Sequence, residues 1–211
     1  MSGPESARAP SERYRDGVAS GAWQDDPAQH DALAELDRLW REILARRTPS
    51  LWQRLRRSRA APRGIYLFGP VGRGKTFLCD LFHEALPERT ARRVHFHRFM
   101  QDVHAALRGI EARANPLEDV AARIAAETRV LVLDEFFVGD IGDAMILGNL
   151  LRALFARGVA LVTTSNTPPQ DLYRDGLQRE RFLPAIALIE AHCAIVRLDS
   201  PHDWRLRALK Q

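Results

Sequence analysis

Four residues in the middle of the chain have the types and spacing of a phosphate-binding loop. Gly69, Gly74, Lys75 and Thr76 fit the pattern G-x-x-x-x-G-K-[ST]. Together with Gly72, the glycines allow the backbone to curl with its N–H groups pointing inward, and a helix that follows presents its positive end to anions. We expect Lys75 to reach the β and γ phosphates of a nucleotide and the Thr76 hydroxyl to coordinate Mg²⁺.

The residues around this motif support the same prediction. An apolar run, Ile65–Phe68, precedes the loop, and a helix-length segment begins at Lys75. A strand, a glycine-rich loop and a helix in this order are the context in which the motif binds phosphate. The candidate nucleotide-binding residues of the loop are Gly69, Pro70, Val71, Gly72, Arg73, Gly74, Lys75, Thr76 and Phe77.

Two carboxylates, Asp134 and Glu135, follow a second apolar run. Val130–Leu133 is apolar at every position, which is typical of a strand buried on both faces. Ligands of open parallel sheets bind at the carboxyl ends of the strands, so we expect both carboxylates to face the phosphate loop. We predict that Asp134 holds Mg²⁺ and that Glu135 polarises an attacking water, which is the chemistry of hydrolysis.

Short apolar strands alternate with helix-length segments after Gly64, and this alternation predicts an α/β fold. We expect a five-stranded parallel sheet with helices on both faces. The predicted strands are Ile65–Phe68, Val94–His97, Val130–Asp134, Ala160–Thr164 and Ala194–Leu198. The predicted helices are Lys75–Leu86, Phe99–Ala112, Leu117–Glu127, Asp143–Ala156, Gln170–Tyr173 and Arg179–His192.

A polar residue just past the fourth predicted strand fits the pattern of one class of P-loop proteins. A further strand inserted into the sheet, together with a Glu directly after the Mg²⁺ Asp, is the pattern of the P-loop class that includes the AAA+ ATPases. Asn166 falls where those enzymes place a residue that senses the γ-phosphate and orients water. Thr164 and Ser165 are alternatives for that role, and a plain turn before Pro168 is the structural alternative.

Six segments carry a more specific resemblance. GPVGRGKT, HFHRFM, LDEFFVGDIGDAMIL, TTSNTPP, LYRDGLQRERFLPAI and DWRLR occur in the order found in the ZapE cell-division ATPases, which are relatives of the mitochondrial AFG-type ATPases. The chain resembles this family from about Asp26 to Leu206. The resemblance implies an AAA+ ATP hydrolase that uses ATP and Mg²⁺ and acts on a protein partner at the division ring, in the cytoplasm at the inner face of the membrane.

The resemblance also assigns roles to residues outside the phosphate loop. In GLQRERFLPAI it implies an arginine donated to the γ-phosphate of a neighbouring subunit in a homo-oligomer, with Arg181 the first candidate and Arg179 the second. In DPAQHDAL it implies that Gln29 holds the adenine base, because an amide offers a donor and an acceptor. The alternatives are surface ion pairs for the arginines and a helix-capping loop around Gln29.

The chain divides into three predicted parts. Residues 1–22 have the polar composition of a flexible arm, residues 23–63 form an N-terminal helical segment, and residues 64–211 form the ATPase core. Members of the family continue past the DWRLR-like phrase, so we expect the C-terminal part of the family to be absent here.

Composition excludes several classes of protein. The balance of 31 basic and 27 acidic residues gives a net charge of +4, too small an excess to indicate nucleic acid as a partner. No apolar run approaches the ~18 residues of a membrane helix, and peripheral membrane association remains open.

Three alternative functions remain beside ATP hydrolysis. The chain could be an adaptor that binds ATP but turns it over poorly, a small-molecule kinase, or a DNA-replication loader, which is supported only by the arginine-rich stretch 46–63.

Overall fold

The computed structural model describes residues 8–46, 61–109 and 115–200. Seven helices of eight or more residues and five strands lie in these ranges. The helices are α1 Pro10–Ala19, α2 His30–Ala45, α3 Lys75–Ala85, α4 Phe96–Arg108, α5 Pro116–Glu127, α6 Ile141–Ala156 and α7 Leu183–His192. The strands are β1 Gly64–Phe68, β2 Ala91–His95, β3 Val130–Asp134, β4 Ala160–Ser165 and β5 Cys193–Arg197. Short 3₁₀ turns are formed by Pro27–Gln29, Pro169–Asp171 and Arg179–Arg181.

The five strands form one parallel sheet in the order β2-β3-β4-β1-β5. Strand β4 therefore lies between β1, which leads into the phosphate loop, and β3, which ends in Asp134. This order confirms the predicted five-stranded parallel sheet with an inserted strand. It brings the carboxyl ends of β1, β3 and β4 side by side at one edge.

Alternate residues along the strands bury their side chains on opposite faces of the sheet. On one face, Ile65 and Val132 pack with apolar residues of α2 and α3, such as Leu36 and Phe82. On the other face, apolar strand residues pack with α4, α5, α6 and α7, and this core includes Tyr66, Leu131, Leu161, Phe99, Val120, Leu147 and Ile189. Helices thus cover both faces, as the apolar strands require.

Glycines at the start of β1 and directly after it allow close approach of neighbouring backbone. A Cβ at Gly64 would lie 2.0 Å from the Leu161 carbonyl oxygen in β4. A Cβ at Gly69, directly after β1, would lie 2.1 Å from the Leu198 carbonyl oxygen, directly after β5. Strand β1 is therefore packed tightly against β4 at its start and against the residue after β5 at its end.

The expectation of a flexible arm over residues 1–22 is wrong for the part that the structure describes. Pro10–Ala19 forms α1, and its Tyr14 side chain is buried. The Tyr14 hydroxyl accepts a hydrogen bond from the Asp26 N–H at 2.8 Å, and the Ser11 hydroxyl donates to Asp37 in α2 at 2.5 Å. A few well-placed contacts therefore hold a helix whose composition is mostly polar. Residues 1–7 lie outside the described residues.

Two predicted boundaries near β2 are also wrong. The strand lies at Ala91–His95 instead of Val94–His97, and the next helix begins at Phe96 instead of Phe99. Because edge strands tolerate polar side chains, Arg92 and Arg93 belong to β2, and the strand lacks the apolar run by which the other strands were predicted. Phe96, Phe99 and Met100 are buried at the spacing of three and four that a helix produces.

Other boundaries shift less. Strands β1, β3, β4 and β5 lie within one residue of their predicted bounds. The predicted helix Gln170–Tyr173 is a 3₁₀ turn at Pro169–Asp171, and the predicted helix Arg179–His192 is a 3₁₀ turn followed by α7, which has Pro184 in its first turn. Most of the arginine-rich stretch 46–63 and the phrase DWRLR lie outside the described residues. Among the described residues, no helix is both long enough and apolar enough to span a bilayer.

Candidate nucleotide site

The predicted phosphate loop connects β1 to α3. Gly69, Gly72 and Gly74 have φ angles of 151°, 82° and 82°, in the region that residues other than glycine rarely adopt. These angles turn the chain sharply enough for α3 to begin at Lys75. The loop therefore ends at the N-terminus of a helix, where unpaired N–H groups favour anions.

Lys75 lies inside the loop and is only 9% exposed. Its Nζ donates hydrogen bonds to the carbonyl oxygens of Gly69 at 2.6 Å and Pro70 at 2.8 Å, and to Oδ1 of Asn166 at 3.1 Å. Burial lowers the pKa of Lys75, and the neighbouring Arg73 guanidinium lowers it further. Within the described part of the chain, the hydrogen-bond partners of this ammonium are therefore neutral oxygens.

Asn166 follows directly after β4, and its side chain is exposed at the same edge of the sheet. The hydrogen bond to Lys75 joins the end of β4 to the phosphate loop. The two alternatives for its role, Thr164 and Ser165, are buried and bind backbone instead. The Thr164 hydroxyl accepts from the Glu135 N–H at 3.0 Å, and the Ser165 hydroxyl donates to the Phe136 carbonyl oxygen at 2.9 Å.

These two hydrogen bonds support an unusual backbone at Glu135. Its φ angle is 56°, in the left-handed region, which costs about 1–2 kcal/mol for a residue with a side chain. The Phe136 N–H also donates to the Thr164 carbonyl oxygen at 2.7 Å. The end of β4 therefore holds the strained residue in place, and its carboxylate points into solvent at the sheet edge, 4.0 Å from Nδ1 of His95.

Asp134 has a different environment from its neighbour. Its carboxylate is buried and accepts from Arg93 of β2, with 2.7 Å between Nε and Oδ2 and 3.4 Å between Nη2 and Oδ1. Arg93 also binds Asp80 of α3. Burial alone would lower the pKa of Arg93, but the hydrogen bonds to Asp134 and Asp80 outweigh burial and raise it.

A cavity of about 870 Å³ opens between the phosphate loop and the ends of β3 and β4. Of the residues predicted from the sequence, the cavity is lined by Val71, Gly72, Arg73, Gly74, Lys75, Thr76, Phe77, Glu135 and Asn166, and also by Thr164 and Ser165, the two alternatives to Asn166. The predicted residues that do not line it are Gly69, Pro70, Asp134, Gln29, Arg179 and Arg181. The structure thus brings together the loop, Glu135 and Asn166 around one cavity that is large enough for a nucleotide.

Gln29 lies at the end of the Pro27–Gln29 turn and is fully buried. Neither its Oε1 nor its Nε2 atom has a hydrogen-bond partner within the described part of the chain. Buried amides are normally satisfied, so a partner that offers both a donor and an acceptor would match these two atoms. The N-terminal segment reaches the loop through Trp23, whose ring lies 4.9 Å from that of Phe77.

Arg179 and Arg181 belong to the 3₁₀ turn before α7 and lie outside the cavity. Nη2 of Arg179 donates to the Gln170 carbonyl oxygen at 2.6 Å, which ties that side chain to its own chain. The side chain of Arg181 is exposed, and it lies next to the buried Phe182. Of the two, Arg181 is the more exposed residue.

Sequence reasoning missed Arg93 and His95 as neighbours of the two carboxylates. Both residues lie on β2, where His95 is in register with Asp134. The only signal in the sequence was a pair of arginines before HFHRFM, and their placement depends on which strand lies beside β3.

The sequence pattern of the AFG1-like ATPases matches residues 8–211. The chain belongs to this family. Cell division protein ZapE of Escherichia coli strain K12 is 46% identical over 215 aligned residues, which represent 96% of this chain and 57% of that protein. Lactation elevated protein 1 homolog B of Danio rerio is 44% identical over 160 residues, 71% of this chain and 32% of that protein. This AFG1-like chain therefore spans little more than half the length of ZapE.

Solved structures resemble the AFG1-like chain in fold. The structure of DnaI has a TM-score of 0.58 at 18% identity and covers 88% of this chain and 89% of its own. AMPPCP-bound DnaA from Aquifex aeolicus has a TM-score of 0.58 at 18% identity and covers 90% of this chain and 52% of its own. Together with the sheet order, these likenesses confirm the predicted P-loop fold of AAA+ type.

The residues at the sheet edge fit a nucleotide with its metal. The buried Nε of Arg73 has no hydrogen-bond partner among the described residues, and it lies in the loop that lines the cavity. The Thr76 hydroxyl and the Asp134 carboxylate are oxygen donors of the kind that Mg²⁺ prefers. Among the described residues, no group of three or more His, Cys, Asp and Glu side chains is arranged to hold a metal by itself. A site that takes its metal together with phosphate oxygens is consistent with this donor set.

Proposed function

We propose that this chain binds ATP with Mg²⁺ in the cavity and hydrolyses the ATP. The observation that carries the proposal is the environment of Lys75. Its ammonium is bound by three neutral oxygens, from Gly69, Pro70 and Asn166. Phosphate oxygens carry more negative charge than these partners, so a triphosphate exchanges with them favourably.

Glu135 and Asn166 supply the hydrolytic chemistry in this proposal. Glu135 lines the cavity and accepts a proton from the water that attacks the γ-phosphorus. The bond between the γ-phosphorus and the bridging oxygen breaks, and ADP leaves with the electron pair. Asn166 orients the water and the γ-phosphate, while Lys75 and the loop N–H groups stabilise the charge on the phosphate oxygens.

Thr76 and Asp134 hold Mg²⁺ in this proposal. The ion, when bound, neutralises charge on the β and γ phosphates. Thr76 is the first residue after Lys75 in α3, and its side chain is exposed at the cavity.

Gln29 recognises adenine in this proposal. Its buried amide has one unpaired donor group and one unpaired acceptor within the described residues, which match the adenine N1 acceptor and N6 donor. The Trp23 contact with Phe77 places the N-terminal segment beside the loop. The experiment that tests the role is a comparison of ATP and GTP affinity for Gln29→Ala, which we expect to reduce the preference for ATP.

An arginine from a second copy completes the site in this proposal, which makes the active form a homo-oligomer. Arg181 is the first candidate because its side chain is exposed, and Arg179 is the second. A guanidinium from a neighbour neutralises charge that develops on the γ-phosphate during transfer.

We further infer that hydrolysis remodels a protein partner. The support is membership of the AFG1-like family and the likeness to ZapE, whose name assigns it to cell division. The partner that we propose is therefore a division-ring component, and the location is the cytoplasm at the inner face of the membrane. The small net charge of +4 gives no support to a nucleic-acid substrate.

The test is to measure ATP binding and phosphate release for the wild type and three variants. We expect Lys75→Ala to bind ATP about ten- to a hundredfold more weakly. We expect Glu135→Gln to bind ATP but to lose hydrolysis by about a hundredfold or more. Glu190→Gln is a control, because it makes the same change at an exposed carboxylate outside the cavity. Undiminished hydrolysis by Glu135→Gln would contradict the role of Glu135, and binding without turnover by the wild type would favour the adaptor.

The shared site has its own test. Specific activity of the wild type should rise with protein concentration, and Arg181→Ala should bind ATP and lose that rise. Arg174→Ala is the matched control, because Arg174 is an exposed arginine in an ion pair with Asp171. Activity per molecule that does not change with concentration would contradict a site shared between subunits.

A further inference from the structure

Arg93 joins three elements of the nucleotide-binding edge. It lies in β2, Asp134 lies at the end of β3, and Asp80 lies in α3, the helix that begins at the phosphate loop. Nε and Nη2 of Arg93 face the two oxygens of Asp134, and Nη1 faces Asp80. The planar fork of a guanidinium suits such a bridge, because its donors point in fixed directions.

The two carboxylates around Arg93 differ in exposure. The Asp134 side chain is 7% exposed, that of Arg93 is 20% exposed, and that of Asp80 is 46% exposed. The buried carboxylate therefore depends on Arg93 for charge compensation, whereas Asp80 has water as an alternative partner. Arg93 is therefore shared between the buried carboxylate of Asp134 and the more exposed carboxylate of Asp80.

This sharing affects the proposed metal site directly. Asp134 does not line the cavity that Thr76 and Glu135 line, and both of its oxygens face Arg93. A divalent cation that uses Asp134 must compete with the guanidinium for the same carboxylate. Asp80 is then the partner that keeps Arg93 compensated.

We propose that Arg93 is a positioning residue that controls the access of Mg²⁺ to Asp134, and that Asp80 holds Arg93 when Asp134 turns to the metal. This inference rests on the proposed function, because it requires a nucleotide and metal site at this edge. It goes beyond that function by assigning a regulatory role to two residues, Arg93 and Asp80, that do not line the cavity.

The proposal predicts opposite effects on Mg²⁺ binding when the charge of Arg93 or the charge of Asp80 is removed. Removing the Arg93 charge removes the competitor, so Mg²⁺ should bind more tightly. Removing the Asp80 charge leaves Arg93 with Asp134 as its only carboxylate in this bridge, so Mg²⁺ should bind more weakly. In the double variant, Asp80→Asn should add nothing to Arg93→Met, because Asp80 acts only through Arg93.

The experiment measures binding of a fluorescent, non-hydrolysable ATP analogue to the full chain, with excess Mg²⁺ and with EDTA. The ratio of the two dissociation constants reports how strongly metal and nucleotide binding are coupled, independently of turnover. We expect this ratio to rise at least about fivefold in Arg93→Met and to fall at least about fivefold in Asp80→Asn.

The matched control is Asp102→Asn. Asp102 pairs with Arg92, the residue next to Arg93, at 3.0 Å, and its side chain is 41% exposed, close to the value for Asp80. The ratio of the two dissociation constants for Asp102→Asn should stay within about twofold of the wild-type ratio, because Arg92 does not bind Asp134 in the structure. A fall equal to that of Asp80→Asn would overturn the proposal in favour of a general charge effect.

The remaining outcomes are also decisive. Wild-type ratios in both single variants, or strictly additive effects in the double variant, would overturn the role of Arg93. Circular dichroism melting shows whether Arg93→Met folds, and if it does not, an unchanged ratio in Asp80→Asn is sufficient to reject the proposal. A wild type that binds no nucleotide in either buffer would overturn the proposed function itself and not only this inference.

Discussion

Two of the cations near the nucleotide-binding edge, Lys75 and Arg93, are bound in contrasting ways. Lys75, in the centre of the sheet edge, is held by two carbonyl oxygens and an amide oxygen. Arg93, at the outer strand β2, is held by the carboxylates of Asp134 and Asp80. Both side chains are largely shielded from water, so the difference lies in the charge of their partners.

This contrast separates a cation prepared for a ligand from a cation that is part of the structure. Neutral oxygens satisfy the Lys75 ammonium without neutralising it, so its charge stays available for phosphate. The carboxylates neutralise Arg93, and their loss would leave a buried charge without compensation. Four predictions test this contrast, and they are given from the largest expected effect to the smallest.

Arg93→Met should reduce the free energy of unfolding by about 3–5 kcal/mol, because it leaves the buried Asp134 carboxylate without its cation. Urea unfolding of the nucleotide-free protein measures this loss. The control is Arg92→Met, which breaks a more exposed ion pair with Asp102 and should cost at most about 1 kcal/mol. Equal losses in the two variants would contradict a structural role specific to Arg93.

Lys75→Ala should weaken nucleotide binding by about ten- to a hundredfold, since it removes charge-assisted hydrogen bonds worth roughly 1.5–3 kcal/mol. Its free energy of unfolding should stay within about 1 kcal/mol of the wild type, because only neutral partners lose a contact. Analogue binding and urea unfolding measure the two quantities. A loss of stability as large as that of Arg93→Met would remove the contrast between the two cations.

Asn166→Asp should give Lys75 a carboxylate partner and so make it resemble Arg93. We expect about tenfold weaker nucleotide binding, because the new carboxylate compensates the ammonium and repels phosphate. The nucleotide-free protein should be slightly more stable, which thermal melting measures. Asn166→Ala separates loss of the amide from gain of the charge, and nucleotide affinity equal in both variants would contradict the electrostatic reason.

Thr164→Val should cost about 1 kcal/mol of stability, because the Glu135 N–H loses its hydrogen-bond acceptor. Hydrolysis should fall more than ATP binding, since the strained Glu135 backbone loses support. The matched control is Thr163→Val, one residue earlier in β4, whose hydroxyl donates to the Leu133 carbonyl oxygen at 2.7 Å. It should cost similar stability but leave the ratio of hydrolysis to binding unchanged.

The central part of the fold was predictable because its strands are simple. β3 and β4 are buried at every position, and each contains an apolar run, Val130–Leu133 and Ala160–Val162, that is followed by polar residues. The phosphate loop was predictable for a related reason. Its glycines are needed for backbone angles that other residues rarely adopt, and this need fixes their spacing.

The edges of the fold were less predictable because long-range contacts determine them. β2 is half-buried and carries Arg92 and Arg93, so its pattern is not that of a central strand. The bond between Arg93 and Asp134 joins residues 41 apart in the chain and depends on the pairing of β2 with β3. Helix α1 is stabilised mainly by contacts with later residues, which its own composition does not reveal.

Substitution of Gly64, at the start of β1, or of Gly69, directly after it, would disturb the sheet on different sides of this strand. A methyl group at Gly64 would push against Leu161 in β4, the strand that leads to Asn166. A methyl group at Gly69 would push instead against Leu198, on the side of β5. A single added carbon at one of two positions along β1 would therefore perturb the sheet either on the β4 side or on the β5 side.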